Sequence, residues 1–118
     1  MSFRGRRGGM DTAVFVGPDE TGLVAALEDA GVAVARVEDD ATRPALEDAG
    51  VVDADLLVVT DVGQGIAVPI ARDLNERLEV LLYTGDGLPE YLSAMAVTKM
   101  DPRLLGPEAV AEELLRDG

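Results

Sequence analysis

The sequence contains no cysteine and no histidine. Without cysteine there are no disulfides, no thiolate nucleophiles and no zinc–thiolate sites. Without histidine the chain lacks the usual general base of enzymes and the commonest metal ligand. Lysine occurs once, at Lys99. No apolar stretch approaches the about 20 residues of a membrane-spanning helix, and the first residues lack the apolar core of a secretory signal. These absences point to a cytoplasmic chain with no membrane insertion, no catalytic constellation and no metal site.

What the chain does have is acid. Twenty-three Asp and Glu face ten Lys and Arg, for a formal charge of −13 over 118 residues. Arg4, Arg6 and Arg7 lie at the very start, so the remainder is more acidic still. Such a surface repels nucleic-acid phosphates and anionic lipid, which excludes both as partners. The acid-rich, lysine-poor balance is similar to that of salt-loving archaeal proteins, whose cytoplasm screens the self-repulsion. Residues 1–10 show no hydrophobic periodicity and read as a disordered leader, with Met10 a candidate true start. A basic arm for an anionic partner is the other use such a leader could have. Residues 11–118 read as one domain.

The domain is organised around Ala49-Gly50-Val51-Val52-Asp53-Ala54-Asp55-Leu56-Leu57-Val58-Val59-Thr60-Asp61. A helix end, a glycine stop and an acidic turn lead into a short, unbroken apolar run. That run suits a central parallel strand covered on both faces. In doubly wound sheets ligands sit past the carboxyl ends of such strands, which singles out Thr60 and Asp61.

Around this strand the chain alternates. Residues 12–16 predict a strand, and Leu23, Val24, Leu27 and Ala30 predict one helix face ending at Gly31. Residues 32–37 predict a strand, and Thr42 caps a short helix that tolerates Pro44 in its first turn. After Asp61, residues Ile66, Ala67, Ile70, Ala71 and Leu74 fall at helical spacing, with Pro69 restricting where that helix starts. Strands at 79–84 and 94–98 follow, with a short helix near Pro89 between them. A last helix opens at Gly106-Pro107-Glu108 and turns Val110, Ala111, Leu114 and Leu115 inward. Five strand–helix alternations with short connections demand a parallel sheet with right-handed crossovers. The expected architecture is a three-layer, Rossmann-like or flavodoxin-like α/β domain with a five-stranded parallel sheet.

The first turn, Gly17-Pro18-Asp19-Glu20-Thr21-Gly22, has the outline of the dinucleotide fingerprint. Gly17 can make the tight turn and Gly22 can let helix pack on strand. At the middle position, where bare backbone would meet a pyrophosphate, stands Asp19. Two unit charges at ~4 Å near a surface interact by about 4 kcal/mol, and here the sign is wrong for phosphate. The helix N-terminus offers only about half a positive charge in return.

Together with Asp40-Ala41-Thr42, the Ala49–Asp55 run and Ala71-Arg72-Asp73-Leu74-Asn75, this turn resembles the N-terminal domain of TrkA-type potassium-transport regulators. The resemblance covers most of residues 11–100. It implies binding of NAD or an adenine nucleotide at Gly17, Asp19, Gly22, Asp40, Thr42, Thr60 and Asp61, pairing into a homodimer, and a transporter or other protein partner. The second strand runs directly into Asp40-Ala41-Thr42, so one helix and one edge strand of that family are missing. Their loss leads to the order 2-1-3-4-5. The function implied is a non-catalytic, ligand-sensing or regulatory domain with impaired dinucleotide binding.

Two alternatives stand beside it. In a response-regulator receiver, an acid pair follows the first strand, a phospho-accepting Asp the third, Thr the fourth and Lys the fifth. Asp19 and Glu20, Asp61, Thr84 and Lys99 occur in that order, with Asp61 as acceptor beside a Mg2+. The other alternative is a protein-interaction module with an empty crevice. Gly63-Gln64-Gly65 has no lysine after it and is no P-loop. Gly85-Asp86-Gly87 reads as a turn, and Asp39, Asp40, Asp53 and Asp55 read as solvated acids.

Overall fold

The four side chains of Leu56, Leu57, Val58 and Val59 are all buried, two against each face of one parallel sheet. This strand, β3 (Leu56–Val59), lies at the middle of a computed structural model that describes residues 10–116. The sheet order is β2-β1-β3-β4-β5, with every neighbouring pair parallel. The remaining strands are β1 (Thr12–Val16), β2 (Ala33–Val37), β4 (Glu79–Tyr83) and β5 (Thr98–Met100). Between and after them come α1 (Leu23–Asp29), α2 (Arg43–Asp48), α3 (Ala67–Leu74), α4 (Glu90–Ser93) and α5 (Pro107–Leu115). Single 3-10 turns occupy Val51–Asp53 and Val62–Gln64.

Side chains alternate across a strand, so each strand feeds two apolar layers. Phe15, Leu56, Val58 and Leu81 face α1 and α5, where they meet Leu23, Leu27 and Val110. Val14, Val16, Leu57, Val59 and Leu82 face the other way and meet Leu46, Ala67, Val68, Ala71 and Leu92 from α2, α3 and α4. The three layers and the strand order are those expected from the sequence. The β1–β2 crossover runs across the sheet in the opposite direction to the three that follow, so right-handedness puts α1 on the face opposite α2, α3 and α4, and α5, after the last strand, packs beside α1.

Local chemistry sets the ends of the helices. The Thr42 hydroxyl oxygen accepts from the Ala45 N–H at 3.2 Å, and Pro44 sits in the first turn of α2, where a missing N–H costs nothing. Pro69 is likewise in the first turn of α3. Gly50, after α2, holds φ at +90°, a left-handed turn that sends the chain back toward β3. Asn75 ends α3 and donates its side-chain amide to the carbonyls of Val51 (3.0 Å) and Ala54 (2.9 Å). Arg72 reaches the Leu78 carbonyl at 3.0 Å and the Ala96 carbonyl at 2.6 Å, pinning α3 to the starts of β4 and β5.

Three boundaries differ from the sequence reading. The last strand begins at Thr98 rather than at residue 94, because the Ala94 N–H closes α4 onto the Glu90 carbonyl at 3.2 Å. The fourth strand ends at Tyr83, and Thr84 already belongs to the loop. Met10, grouped with the leader by composition, is buried at 4% exposure in the layer beneath α1 and α5. Residues 1–9, the rest of that leader, lie outside the described residues. No helix among the described residues is long and apolar enough to cross a membrane.

Asn75→Ala strips two carbonyls of their partner without offering another. Urea denaturation is expected to show a loss of about 1–3 kcal/mol with an unchanged m-value.

Candidate functional site

The connections from β1 and β3 leave toward opposite edges of the sheet, so a crevice opens between the ends of these two strands. Gly17 ends β1 with φ at +108°. A Cβ there would collide with the Thr60 hydroxyl and press within 3.2 Å of the Asp61 backbone nitrogen. The Thr60 hydroxyl donates across the gap to the Pro18 carbonyl at 2.7 Å, with the Val16 carbonyl at 3.4 Å. The Thr60 N–H extends the β1–β3 ladder by one bond, to Val16 at 3.0 Å. Thr60 therefore laces the mouth of the crevice to the first loop.

Above this lacing lies the start of α1. A helix leaves its first amide groups without intrahelical partners, and in dinucleotide folds a phosphate takes them. Here Asp19 takes them. Its Oδ1 accepts from the Leu23 N–H at 2.8 Å and from Val24 at 3.4 Å, while Oδ2 also lies 3.4 Å from the Val24 nitrogen. Gly22, at φ +90°, turns the chain so that the carboxylate three residues earlier can fold back onto these donors. The position that a pyrophosphate would approach is filled by an anion of the chain itself.

A polar cavity of about 250 Å³ opens beside it, past the ends of β1, β3 and β4. Asp19 and Thr60 line it, together with Glu20, Thr84, Asp86 and Pro102. Thr84 is buried, and its hydroxyl oxygen accepts from the Asp86 N–H at 3.0 Å, which holds the turn at Gly85. Tyr83 donates its hydroxyl to the Leu105 carbonyl at 2.6 Å and so fixes the far wall. That wall is braced by Asp101, which accepts from the Arg103 backbone N–H at 2.8 Å and from its guanidinium at 3.0 and 2.7 Å. These bonds hold the Asp101 carboxyl down at about 2. The Arg103 side chain also reaches the Gly85 carbonyl at 3.4 Å.

The other expected site residues lie elsewhere. Gly17 acts beneath the crevice and Gly22 in the turn, neither on the cavity wall. Asp40 is exposed and Thr42 is spent capping α2, both at the β2 edge. Asp61 is exposed and accepts from the Gly63 N–H at 2.9 Å as the cap of a 3-10 turn. Gln64 of that turn accepts from the Ala41 N–H at 3.2 Å, which ties the β2 and β3 loops together away from the cavity. The receiver set is divided in the same way. Asp19, Glu20 and Thr84 share the cavity, Asp61 does not line it, and Lys99 is exposed within β5 instead of past its end. Among the described residues no three acidic side chains gather at a spacing that could hold a metal ion.

A family model matches residues 13–114, that of a family of unknown function, DUF7126. The chain belongs to this family. No curated protein matches it. A solved structure of a Burkholderia pseudomallei protein described as pilus assembly-related is similar, with a TM-score of 0.64 and 22% identity over 92% of this chain and 90% of that one. At that identity the likeness shows the shared fold.

Membership of DUF7126 overturns the resemblance to TrkA-type regulators. The short motifs that carried it have local duties here. Gly17 makes room for Thr60, Gly22 and Gly50 make left-handed turns, Thr42 caps α2, and Asn75 ties up two carbonyls. Any parallel α/β sheet with tight connections calls on such residues at such places. The NAD, transporter and homodimer expectations lose that support. In this DUF7126 domain the signal for the cavity's far wall was Thr84-Gly85-Asp86 directly after an apolar strand, which reads as an ordinary turn until the fold brings it opposite Asp19.

Asp19→Ala is expected to lower the unfolding free energy by about 1 kcal/mol, the usual cost of a lost helix cap. Gly17→Ala costs about 1–3 kcal/mol from its left-handed backbone alone, with the Thr60 collision added. A carbon-detected NMR titration should place the Asp101 carboxyl near 2. In Arg103→Ala the midpoint should return to the ordinary carboxylate range. Asp101's folded value is depressed, so its clamp is fully present above the ordinary range and is lost as pH falls toward 2.

Proposed function

We propose that this domain is a non-catalytic regulatory module that works through protein contacts, in which the phosphate seat typical of its fold is filled by its own Asp19. The observation that carries this reading is the Asp19 carboxylate on the Leu23 and Val24 amides. A dinucleotide would have to displace it and then sit beside Glu20 and Asp86, which line the same cavity. Like charges at such range in a partly enclosed crevice oppose binding, and a neutral polar wall would not. Thr60 is committed within the chain as well, since its hydroxyl donates to the Pro18 carbonyl.

With that seat occupied, the domain retains a rigid sheet and two helical faces with which to contact another protein. Its acidity suits a cytoplasm rich in potassium salt, where self-repulsion is screened. Unfolding temperature is accordingly expected to rise with added KCl.

Thermal unfolding in multimolar KCl with NAD, NADH, ATP or AMP tests the central point. No shift is expected with any of them. A saturable rise with one would restore a nucleotide-sensing role. Beryllofluoride with Mg2+ is expected to leave the protein unchanged, whereas a response abolished in Asp61→Asn would establish the receiver chemistry instead.

A further inference from the structure

Resting on the reading of this domain as a module for protein contacts, we infer that the outer edge of β2 takes up an extended, lysine- or arginine-bearing segment of another protein as a sixth strand. β2 closes one side of the sheet and pairs only with β1. In a parallel ladder, alternate residues of a strand turn their N–H and C=O groups toward one neighbour. The Ala33 N–H donates to the Asp11 carbonyl at 2.9 Å, so Ala33, Ala35 and Val37 address β1. Val34 and Arg36 turn their main-chain groups outward, where no strand of the described residues meets them. The sheet's other edge is guarded. β5 is three residues long, carries the exposed Lys99 and is followed closely by Pro102. Short length, lysine and proline are the usual devices against edge pairing. β2 has five residues and neither lysine nor proline. Its one charged side chain is drawn aside: Arg36 Cζ lies 5.6 Å from the centre of the Phe15 ring, and a guanidinium nitrogen lies 3.5 Å from the Gly17 carbonyl.

Two hollows, of about 360 and 380 Å³, adjoin along this edge beside α2. Ala33, Gly50 and Ala54 line the first, Val37 and Ala45 the second, and Ala35 and Ala49 line both. A strand added outside β2 would point alternate side chains, about 7 Å apart, along this line of hollows. The small residues there leave room for apolar side chains larger than their own. In strand addition of this kind, main-chain bonds supply the affinity and the hollows supply the choice of side chain.

Charge selects the occupant. Asp53 stands at the first hollow, and Glu38, Asp39 and Asp48 stand at the second. All four are exposed, and none is in an ion pair among the described residues. A second copy paired antiparallel at this edge would bring its own Glu38 and Asp39 beside Asp53, and each chain carries −13. A foreign strand with apolar residues at alternate positions and Lys or Arg at its ends meets the same rim with the opposite sign.

The probe is the peptide acetyl-Lys-Val-Thr-Val-Thr-Val-Lys-amide, titrated into the isotope-labelled intact chain at the lowest KCl concentration in which it stays folded. The expected result is a saturable downfield shift of the Val34 and Arg36 amide protons, with slowed solvent exchange at both. The Ala33 and Ala35 amides should be protected before and after. Val34→Pro removes an N–H that the sheet does not use and should abolish binding while the rest of the spectrum is retained. Asp48→Asn combined with Asp53→Asn removes two charges that hold nothing in the fold and should weaken binding about fivefold. The same peptide with Glu in place of both Lys should not bind. No shift at Val34 and Arg36, shifts centred on other residues, or equal binding of the Glu peptide would overturn the proposal. So would sedimentation of the free chain as a dimer with both amides already protected, which would put a second copy on this edge. The two readings fail separately, since nucleotide binding is read at Leu23 and Val24 and strand addition at Val34 and Arg36.

Discussion

Burying four consecutive side chains on both faces of one strand is the constraint from which this structure follows. A strand such as β3 has no wet side, so helices must cover both faces, and the strands beside it must run parallel to leave room for the crossovers. Each fully buried Leu or Val contributes about 1.5–3 kcal/mol, while a whole domain is stable by only about 5–15 kcal/mol. A one-residue slip of β3 would carry one apolar side chain past the strand end and draw Asp55 or Thr60 into a buried layer, a cost that such a narrow margin of stability leaves little room for. This fixes where Thr60 emerges, immediately beyond the last buried valine and opposite Gly17.

Position at a strand end does not by itself make a binding site. The crevice in this fold is built, but its donors are engaged within the chain. Thr60 bonds the first loop, Asp19 caps α1, Thr84 holds the next turn, and Asp101 with Arg103 braces the outer wall. The result is a scaffold whose usual ligand contacts have become structural contacts. What remains uncommitted is peripheral: an acidic cavity wall on one side and an acid-rimmed apolar trough on another.

The fold was legible in the sequence to a large degree because its signals are local. The unbroken run at Leu56–Val59, the glycine stops at Gly31 and Gly50, and the Thr42 cap each declare an element within a few residues. Strand order was reached by removing one edge strand from the TrkA-type pattern, and it held although that family did not, because parallel sheets with right-handed crossovers have few arrangements. The site was less legible. Asp40, Thr42 and Asp61 were grouped with Thr60 because all follow strand ends, yet none of the three lines the cavity that Thr60 does. Which strand-end residues converge depends on loop paths set by contacts such as Gln64 to Ala41, which join residues 23 positions apart. Family membership was misread for a related reason. Short glycine and capping motifs report the needs of a fold that many families share.

The central claim, that Asp19 stands where a phosphate would, is tested most directly at the two amides concerned. In nitrogen–proton spectra of the intact protein, saturating pyrophosphate and then NAD are added while the Leu23 and Val24 signals are followed. The account predicts that neither signal moves, because the Asp19 carboxylate holds both N–H groups. A saturable shift of Leu23 and Val24 with Asp19 in place would contradict it.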